Sequence, residues 1–541
     1  MRRIATKKAL VQQMRAIETI GVITTIATDK TGTLTENKLS IQSTWQPTKS
    51  SAIKEVIAGS INYGSNLSDP LDRALVEYAR KQGGYRESHR PAHELPFKQE
   101  YALSASVWHR GSDYTAYVKG APEAIMRKAK LDKATQTQAQ ESLDQLTASG
   151  YRVIALASTT SSRAIEEFDQ LLKLPLKFEG FIAVADALRP GAIKAIKTAQ
   201  AAGVSVRMIT GDHAETAFQI AKNLKMVSER SEVLDCRTLD KMSDDKLELA
   251  IKQTKVFARV VPEQKYRILA MLKKRHITAM TGDGVNDVPA LTNAHVGIAM
   301  GSGADIAKDA GDIILLDDNF KTIIDAMREG RVIISNIRRM LVYLLATNAG
   351  EVLSMLGALI IGTRLPLEPV QILWVNLVTD TSMVIPLGLE PAEKDIMKKN
   401  PRKPNAPILN KDMILRIATT ALIIASLTLI TYLAFLSSHN HEYAQTMAFA
   451  ALVVSQWGNA FAVRSHTEST LARLKTMNRS FYVGLGISIL LQILVFFGPL
   501  GEALHIAKVD PIHLLTISII SLLAPIIASD IHKAVSRKRQ A

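Results

Sequence analysis

An aspartate that directly follows a buried-strand pattern is the strongest chemical signal in the sequence. Residues 22–26 are Val-Ile-Thr-Thr-Ile, and residues 29–35 are Asp-Lys-Thr-Gly-Thr-Leu-Thr. The β-branched run predicts a strand, and the turn after it combines polar side chains with a glycine. Such a turn can present a carboxylate nucleophile together with backbone groups that bind a transferred phosphoryl group. Asp29, Lys30 and Thr31 are therefore candidate residues for phosphoryl transfer.

The elements that must position this aspartate follow an alternating pattern. Hydrophobic periodicity predicts an amphipathic helix at about 1–20, helices at 190–202 and 214–224, and strands at 204–209 and 277–280. This alternation favours a doubly wound parallel sheet of the α/β class, which binds ligands beyond the carboxyl ends of its strands. We therefore expect the acidic loops at Asp29, Asp212 and Asp283 to meet at one edge of the sheet.

The segment from about 40 to 184 interrupts this alternation, which is how an inserted domain appears in a sequence. Its own pattern mixes helices and strands. We expect residues 1–39 and 185–338 to form one domain, and residues 40–184 to form a separate α/β domain inserted into it.

Six apolar segments after residue 339 are each long enough to cross a bilayer. They lie at about 341–361, 369–388, 413–436, 445–463, 481–499 and 511–529. Residues 339–541 are therefore predicted to form an all-α transmembrane domain in a lipid bilayer. Lys and Arg residues concentrate at 394–411, 464–479 and 533–539. The positive-inside rule places these regions, the soluble domains and both termini in the cytoplasm.

The net charge of +15 does not indicate a nucleic-acid partner. No basic run is interleaved with aromatic residues, and membrane topology explains the clustering of Lys and Arg. The single cysteine, Cys236, provides neither a disulfide nor a CxxC metal pair. Lys7, Lys8 and Arg15 interrupt any apolar core of a signal peptide.

The heptad at 29–35 resembles the signature of the P-type ATPases, a branch of the haloacid dehalogenase-like phosphotransferases. The resemblance implies that residues 1–39 and 185–338 are the phosphorylation domain, and that Asp29 is phosphorylated by ATP with Mg²⁺ as cofactor. The segments at 210–212, 262–265 and 281–287 resemble the further motifs of that family. They imply phosphate contacts from Thr210, Gly211, Asp212, Lys265 and Asn286, and Mg²⁺ ligation by Asp29, Thr31, Asp283 and Asp287.

The same resemblance implies that residues 40–184 bind the nucleotide. Lys119 and Gly120 match the lysine motif of the nucleotide domain, Arg152 matches an arginine that reaches the ATP phosphates, and Phe97 stands where relatives stack an aromatic ring on adenine. Asp72 stands in a motif that usually carries Glu. Asp186 and Arg189 retain the ends of a motif that usually reads Asp-Pro-Pro-Arg, whereas Ala187 departs from it.

Polar residues inside membrane-spanning segments are costly, so they indicate function. Asn348 and Glu351 are three residues apart on the first segment. Asn376, Thr379 and Asp380 lie at i, i+3 and i+4 on the second, so that a regular helix would place them on one face. Their carboxylate, amide and hydroxyl oxygens suit a hard cation such as Ca²⁺, and no thiolate or imidazole accompanies them.

The run at 374–380 closely resembles the sixth helix of calcium pumps of the sarcoplasmic reticulum type, which favours Ca²⁺. Sodium/potassium pumps usually carry Asp where Asn376 stands. Gln456 stands where two-site calcium pumps place Glu, and sodium/potassium pumps also have Gln there. Gln456 is therefore either a cation ligand or a contact between helices, and both interpretations stay open.

The leading hypothesis is the C-terminal portion of an ATP-driven Ca²⁺ pump of the plasma membrane. Full-length relatives begin with four membrane helices and an actuator domain with a Thr-Gly-Glu loop, which this sequence lacks. We therefore expect it to need an N-terminal half as partner. The alternatives are a membrane-anchored phosphatase or nucleotide-binding module without transport, a pump for another cation such as Na⁺, and a non-catalytic regulatory subunit.

Overall fold

The computed structural model describes residues 2–47, 52–63, 69–82, 90–403 and 406–540. The chain divides into two compact units. The first comprises residues 1–16 and 23–326, and the second comprises residues 17–22 and 327–541. All described strands belong to the first unit, and the six helices that are long and apolar enough to cross a membrane belong wholly or mainly to the second.

Fourteen described strands form two sheets in the first unit. In chain order they are β1 (Ala9–Val11), β2 (Thr25–Asp29), β3 (Thr35–Trp45), β4 (His93–Lys98), β5 (Leu103–Arg110), β6 (Asp113–Gly120), β7 (Arg152–Ser161), β8 (Lys177–Leu188), β9 (Ser205–Ile209), β10 (Val233–Asp235), β11 (Val256–Ala258), β12 (Thr278–Gly282), β13 (Val296–Met300) and β14 (Ile313–Leu315).

The larger sheet confirms the predicted doubly wound parallel architecture. Its order is β1-β14-β13-β12-β2-β9-β11-β10, and every neighbouring pair except β1 with β14 is parallel. The central strands β2, β12 and β13 are buried at nearly every residue, as expected when helices cover both sides of such a sheet. β2 lies between β9 and β12, so the loops after these three strands leave the sheet at the same edge.

The predicted helix at about 1–20 is wrong. Two separate helices occupy this region, Arg2–Ala5 and Met14–Val22, and β1 lies between them. β1 pairs antiparallel with β14, so tertiary pairing at the sheet edge overrides the local helical periodicity.

The smaller sheet is antiparallel and lies within the inserted segment. Its order is β3-β8-β7-β6-β5-β4. β3 begins at Thr35 and β8 ends at Leu188, so both domain boundaries expected from sequence, at 39/40 and 184/185, fall inside strands. A core of buried aliphatic and aromatic side chains packs between this sheet and its helices.

Helices connect and cover the strands and form the second unit. The α-helices are Arg2–Ala5, Met14–Val22, Ala52–Gly59, Pro70–Lys81, Pro122–Ala129, Lys133–Ala148, Phe168–Leu172, Ala192–Ala201, Ala214–Asn223, Asp244–Gln253, Pro262–Lys273, Val288–Asn293, Asp305–Ala310, Phe320–Ile361, Pro369–Trp374, Thr381–Gly388, Lys411–Leu436, His441–Val463, Thr470–Leu474, Arg479–Phe497, Leu500–Ala503 and Pro511–Gln540. Short 3₁₀ helices occupy Arg230–Glu232, Cys236–Lys241 and Val285–Asp287.

The six apolar helices are here named spans 1 to 6. They are Phe320–Ile361, Pro369–Gly388, Lys411–Leu436, His441–Val463, Arg479–Phe497 and Pro511–Gln540. Asparagine side chains cap the first turns of spans 3, 4 and 5, at Asn410, Asn440 and Asn478. Span 4 is buried along nearly its whole length, so it forms the centre of the bundle.

Spans 1 and 2 differ from the sequence prediction. Span 1 begins about twenty residues earlier than predicted, at Phe320, as one continuous helix of 42 residues. Span 2 contains a π-helical segment, Val375–Asp380, between two α-helical parts. The wider i→i+5 turn changes the direction of the side chains, so the predicted i, i+3, i+4 face does not hold there.

Candidate active site and cation site

Asp29 is the last residue of β2, at the carboxyl edge of the parallel sheet. Its backbone N–H donates to Thr281 Oγ1 at 3.1 Å, which ties the strand end to β12. The backbone N–H of Lys30 donates to Asp29 Oδ1 at 2.7 Å. Gly32 follows with φ +75°, a left-handed conformation that favours glycine and closes the turn. These contacts fix the carboxylate where a phosphoryl group can approach it.

Lys265 links Asp29 to a second carboxylate. Its Nζ donates to Asp29 Oδ2 and to Asp287 Oδ1, both at 2.8 Å. Burial alone would lower the pKa of Lys265, but Asp29 and Asp287 raise it above its usual value. The lysine therefore remains charged and provides fixed positive charge at the place where a phosphoryl group would carry negative charge.

Asp29, Asp283 and Asp287 form the acidic cluster of the site. Their carboxylate oxygens lie within 4.8 Å of one another. Burial raises the pKa of Asp283, and the charges of Asp29 and Asp287 raise it further against the opposing charge of Lys265. Hard carboxylate oxygens at this spacing fit Mg²⁺.

Other residues predicted for this edge lie around the cluster. Lys30 Nζ forms an ion pair with Asp212 Oδ2 at 2.8 Å. Thr210 is buried, and its Oγ1 accepts from the Asp212 backbone N–H at 3.1 Å. The remaining predicted residues, Thr31, Gly211 and Asn286, lie in the loops of the same edge; Gly211 and Asn286 are exposed.

Asp186 and Arg189 contact the signature turn rather than the nucleotide cavity described below. Thr35 Oγ1 donates to Asp186 Oδ2 at 2.5 Å. Arg189 donates from Nη2 to the Gly32 carbonyl at 2.8 Å and from Nε to the Thr35 carbonyl at 3.1 Å. The two residues therefore clamp the turn that follows Asp29, and their predicted contact with ribose and phosphate stays a prediction.

A cavity of about 690 Å³ lies on the smaller sheet. Five of the predicted nucleotide residues line it: Asp72, Phe97, Lys119, Gly120 and Arg152. Phe97 is 62% exposed, so its ring is available for stacking. A Cβ on Gly120 would lie 2.3 Å from the Ala102 carbonyl oxygen, so only glycine fits there. The volume and the lining of this cavity suit a nucleotide.

Lys119 and Asp72 form a buried ion pair at the floor of this cavity. Lys119 Nζ lies 2.6 Å from Asp72 Oδ1, and the two side chains are 6% and 5% exposed. Lys119 also donates to the Ser60 carbonyl, and Asp72 accepts from the Asn62 backbone N–H. Most of the hydrogen-bonding capacity of Lys119 is thus directed into the protein.

Polar residues of spans 1, 2 and 4 meet inside the second unit. Glu351 Oε1 accepts from Gln456 Nε2 at 2.9 Å, and Glu351 Oε2 accepts from Asn376 Nδ2 at 3.3 Å. Among the described atoms, the buried oxygens of this region that lack a hydrogen-bond partner include Thr379 Oγ1, Asp380 Oδ1 and Gln456 Oε1. Unsatisfied oxygens at this depth fit a cation that has lost its water.

Two of the predicted cation ligands, Asn348 and Asn376, are not buried with their oxygens unpaired like those above. The Nδ2 group of Asn348 donates to the carbonyl of Leu344 on its own helix at 2.9 Å. Asn376 is exposed on the surface of the second unit while it reaches Glu351. The structure therefore brings Glu351, Asn376 and Gln456 into contact and leaves Asn348 beside them.

Two family models match the chain. The model described as haloacid dehalogenase-like hydrolase matches residues 23–295. The model described as cation transporting ATPase, C-terminus, matches residues 364–535. The first covers the sheet edge around Asp29, and the second covers spans 2 to 5 and most of span 6.

Curated relatives match most of the chain. A calcium-transporting ATPase of Bacillus subtilis (strain 168) is 33% identical over 94% of this chain and 64% of its own length. Calcium-transporting ATPase 1 of Lactococcus lactis subsp. lactis (strain IL1403) is 34% identical over 88% of this chain and 58% of its own length. Probable cation-transporting ATPase F of Mycobacterium tuberculosis (strain ATCC 25618 / H37Rv) is 32% identical over 92% and 62%. The chain belongs to the P-type cation-transporting ATPases.

Membership of the P-type ATPases confirms what the heptad at 29–35 predicted. The six spans and the relatives also make the chain an integral, multi-pass membrane protein. It spans 58% to 64% of the length of the three relatives named above.

The sequence analysis missed two features of this P-type ATPase chain. Tyr343 is fully buried in span 1, and its hydroxyl has no hydrogen-bond partner among the described atoms. It lies eight residues before Glu351, a helical spacing that places both on one face. The π-helical segment was missed because neither glycine nor proline marks it in the sequence.

Proposed function

We propose that this chain is part of an ATP-driven Ca²⁺ pump that passes through an aspartyl-phosphate intermediate at Asp29. One observation carries the proposal. A strand-end aspartate beside a lysine and two further carboxylates occurs in the same chain as a cluster of oxygen-bearing side chains in membrane helices, several of whose buried oxygens lack a partner among the described atoms. The first arrangement suits phosphoryl transfer, and the second suits a hard cation.

In the proposed reaction, an Asp29 carboxylate oxygen attacks the γ-phosphorus of ATP. A bond forms between that oxygen and phosphorus, the bond from phosphorus to the β,γ-bridging oxygen breaks, and ADP leaves with the bridging oxygen. Lys265 holds its charge beside the equatorial oxygens, as its 2.8 Å contact with Asp29 supports. Bound Mg²⁺ would add positive charge to the same oxygens through Asp29, Asp283 and Asp287, with Thr31 in the adjoining turn.

ATP would occupy the cavity on the smaller sheet. Phe97 would stack on the adenine ring, and Arg152 at the cavity wall would contact the phosphates. Lys119 would act mainly through its ion pair with Asp72, which keeps the floor of the cavity in place.

The transported cation would bind between spans 1, 2 and 4. Glu351 and Asp380 supply negative charge, while Thr379, Gln456 and Asn376 supply neutral oxygens. Two carboxylates and several neutral oxygens suit a divalent hard ion such as Ca²⁺. Na⁺ is the second candidate, because Gln456 offers no third charge to the site.

We also propose where the chain resides and which partner it needs. The basic connections between spans support a plasma-membrane protein with its soluble regions and both ends in the cytoplasm. The named relatives are longer than this chain, so we propose that transport also needs a counterpart of their remaining length, as an N-terminal half.

ATP-driven ⁴⁵Ca²⁺ uptake into inside-out membrane vesicles tests the choice of cation. The chain would be expressed with and without the N-terminal half of a relative, and ²²Na⁺ uptake would be measured in parallel. We expect Ca²⁺ uptake that Glu351→Gln and Asp380→Asn each abolish. Thr428→Val serves as the control, because the Thr428 hydroxyl donates to the Ile424 carbonyl of its own helix and, among the described residues, to no other helix. Uptake of Na⁺ instead of Ca²⁺, or uptake that survives both carboxylate substitutions, would refute the Ca²⁺ proposal.

A further inference from the structure

A second cavity lies in the second unit, away from the cation cluster. It has a volume of about 350 Å³ and lies among spans 1, 3 and 6, residues 393–402 of the connection between spans 2 and 3, and residues 466–467 after span 4. Seven lysine and arginine side chains line it, against two carboxylates, Glu393 and Asp412. The cavity is therefore strongly basic, at the end of the spans where the sequence concentrates Lys and Arg.

Both carboxylates already have hydrogen-bond partners. Glu393 Oε1 accepts from Arg339 Nη2 at 2.9 Å and from Ser465 Oγ at 3.1 Å. Asp412 Oδ1 accepts from Ser536 Oγ at 2.8 Å and lies 3.1 Å from His532 Nε2. Among the described residues, Lys399 approaches Glu393 at 3.6 Å, whereas Arg338 and Arg416 form no ion pair with either carboxylate.

Two buried cations converge on one carbonyl group beside this cavity. Arg416 Nη2 and Lys533 Nζ donate to the Ala462 oxygen at 2.7 Å and 2.8 Å. The residues are 4% and 2% exposed. Lys533 also pairs with Asp530 at 3.1 Å, whereas Arg416 forms no ion pair with a carboxylate of the described residues. A buried guanidinium with no carboxylate in ion-pair contact costs free energy that a bound anion would recover.

Arg338 adds a further donor to the wall. Its Nη2 lies 2.9 Å from Met413 Sδ, a weak acceptor, and its Nε is buried without a hydrogen-bond partner among the described atoms. Two arginines thus line the same space without an ion pair to a carboxylate of the described residues.

We propose that this cavity is a binding site for a phosphate group, from an anionic phospholipid headgroup or from free phosphate. Arginine presents planar pairs of donors that match phosphate oxygens. Basic pockets between membrane helices at the cytoplasmic end are positioned to take lipid headgroups. Arg416 and Arg338 contact the phosphate oxygens, and Lys533 adds charge behind them.

Native mass spectrometry and thermal unfolding of the delipidated full chain in detergent test the site. Dioleoyl phosphatidic acid, dioleoyl phosphatidylcholine and inorganic phosphate are compared at equal concentrations. The variants are Arg416→Gln and the less buried Arg338→Gln, which keeps the test valid if the first variant fails to fold. Lys475→Gln is the control, because Lys475 is an exposed residue of the same basic connection that does not line the cavity.

The expected result is one retained phosphatidic acid molecule per chain and a rise in unfolding temperature that phosphatidylcholine does not give. Each arginine substitution should weaken this binding about tenfold, or ~1.4 kcal/mol, while Lys475→Gln leaves it unchanged. An equal rise with inorganic phosphate, lost in the same variants, identifies free phosphate as the source and also supports the site. Equal lipid binding by wild type and both arginine variants overturns the proposal.

Discussion

Replacement of Lys119 by Met should loosen the smaller sheet strongly. The change removes one partner of the 2.6 Å ion pair with Asp72, and both side chains are almost fully buried, so solvent screens the loss very little. Burial lowers the pKa of Lys119 and raises the pKa of Asp72, so desolvation opposes both charges. Without the lysine, the Asp72 carboxylate must either take up a proton or remain buried as an unpaired charge.

The expected loss of stability is about 3–5 kcal/mol, the range for breaking a buried pair by removing one partner. At ~1.36 kcal/mol per tenfold change, local opening should become roughly 10²- to 10⁴-fold more frequent. Hydrogen–deuterium exchange followed by mass spectrometry measures this directly in β5, β6 and β7, provided that exchange follows the opening equilibrium.

Two further variants separate the ion pair from general effects of substitution. Lys81→Met removes the partner of Glu77 in an exposed pair at 2.8 Å on the helix that also carries Asp72. It should change exchange by less than about 1 kcal/mol. Adding Asp72→Asn to Lys119→Met removes the stranded charge and should restore most of the protection. Unchanged exchange in Lys119→Met, or a double variant as open as the single one, would refute this reasoning.

Three further predictions concern other parts of the chain. Phe97→Ala should weaken ATP binding about 5- to 150-fold, because base stacking contributes about 1–3 kcal/mol. The control Leu249→Ala should leave ATP binding unchanged, because Leu249 is an exposed apolar residue outside the cavity. Equilibrium binding of a fluorescent ATP analogue measures both variants, and equal affinity of wild type and Phe97→Ala would contradict the stacking role. Thr379→Val should raise the Ca²⁺ concentration for half-maximal uptake roughly tenfold, because Thr379 Oγ1 has no hydrogen-bond partner among the described atoms. The matched Thr428→Val should leave this concentration unchanged, because the Thr428 hydroxyl already donates to the Ile424 carbonyl. Equal shifts in both variants would contradict the role of Thr379 as a ligand. Burial and Arg339 lower the pKa of His466 to about 3 from its ordinary value of 6.5, so the folded chain binds fewer protons than the unfolded chain between these values. The stability that the neutral His466 contributes is present above about pH 6.5 and is lost as the pH falls toward 3. The unfolding temperature should therefore drop with acidification less steeply in His466→Gln than in wild type. Identical slopes in the two proteins would refute this role of His466.

The sequence predicted the larger sheet and the meeting of its acidic loops because strand ends leave a parallel sheet at one edge. It placed Asp29, Asp212 and Asp283 at the ends of three strands. In the structure Asp29 is the last residue of β2, and Asp212 and Asp283 lie in the segments that follow β9 and β12. The six spans were predictable for a similar reason, since apolar length alone identifies a membrane helix.

Features that depend on tertiary contacts were not predictable. β1 forms because β14 offers an edge, which the local pattern of residues 9–11 does not reveal. The motif that contains Lys119 indicates nucleotide binding, yet its ammonium group is directed to Asp72, 47 residues earlier in the chain. Arg189 similarly holds the turn at Gly32 from the other end of the inserted segment. Such pairings arise only when distant segments pack.

Acid-stable incorporation of ³²P from γ-labelled ATP tests the central claim most directly. Membranes that carry the chain with an N-terminal half are labelled with and without Ca²⁺, and Asp29→Asn is the control. We predict label on wild type that depends on Ca²⁺, is absent from Asp29→Asn and is lost in Glu351→Gln. Label that persists in Asp29→Asn, or no label on wild type under any of these conditions, would contradict phosphorylation of Asp29 as the basis of transport.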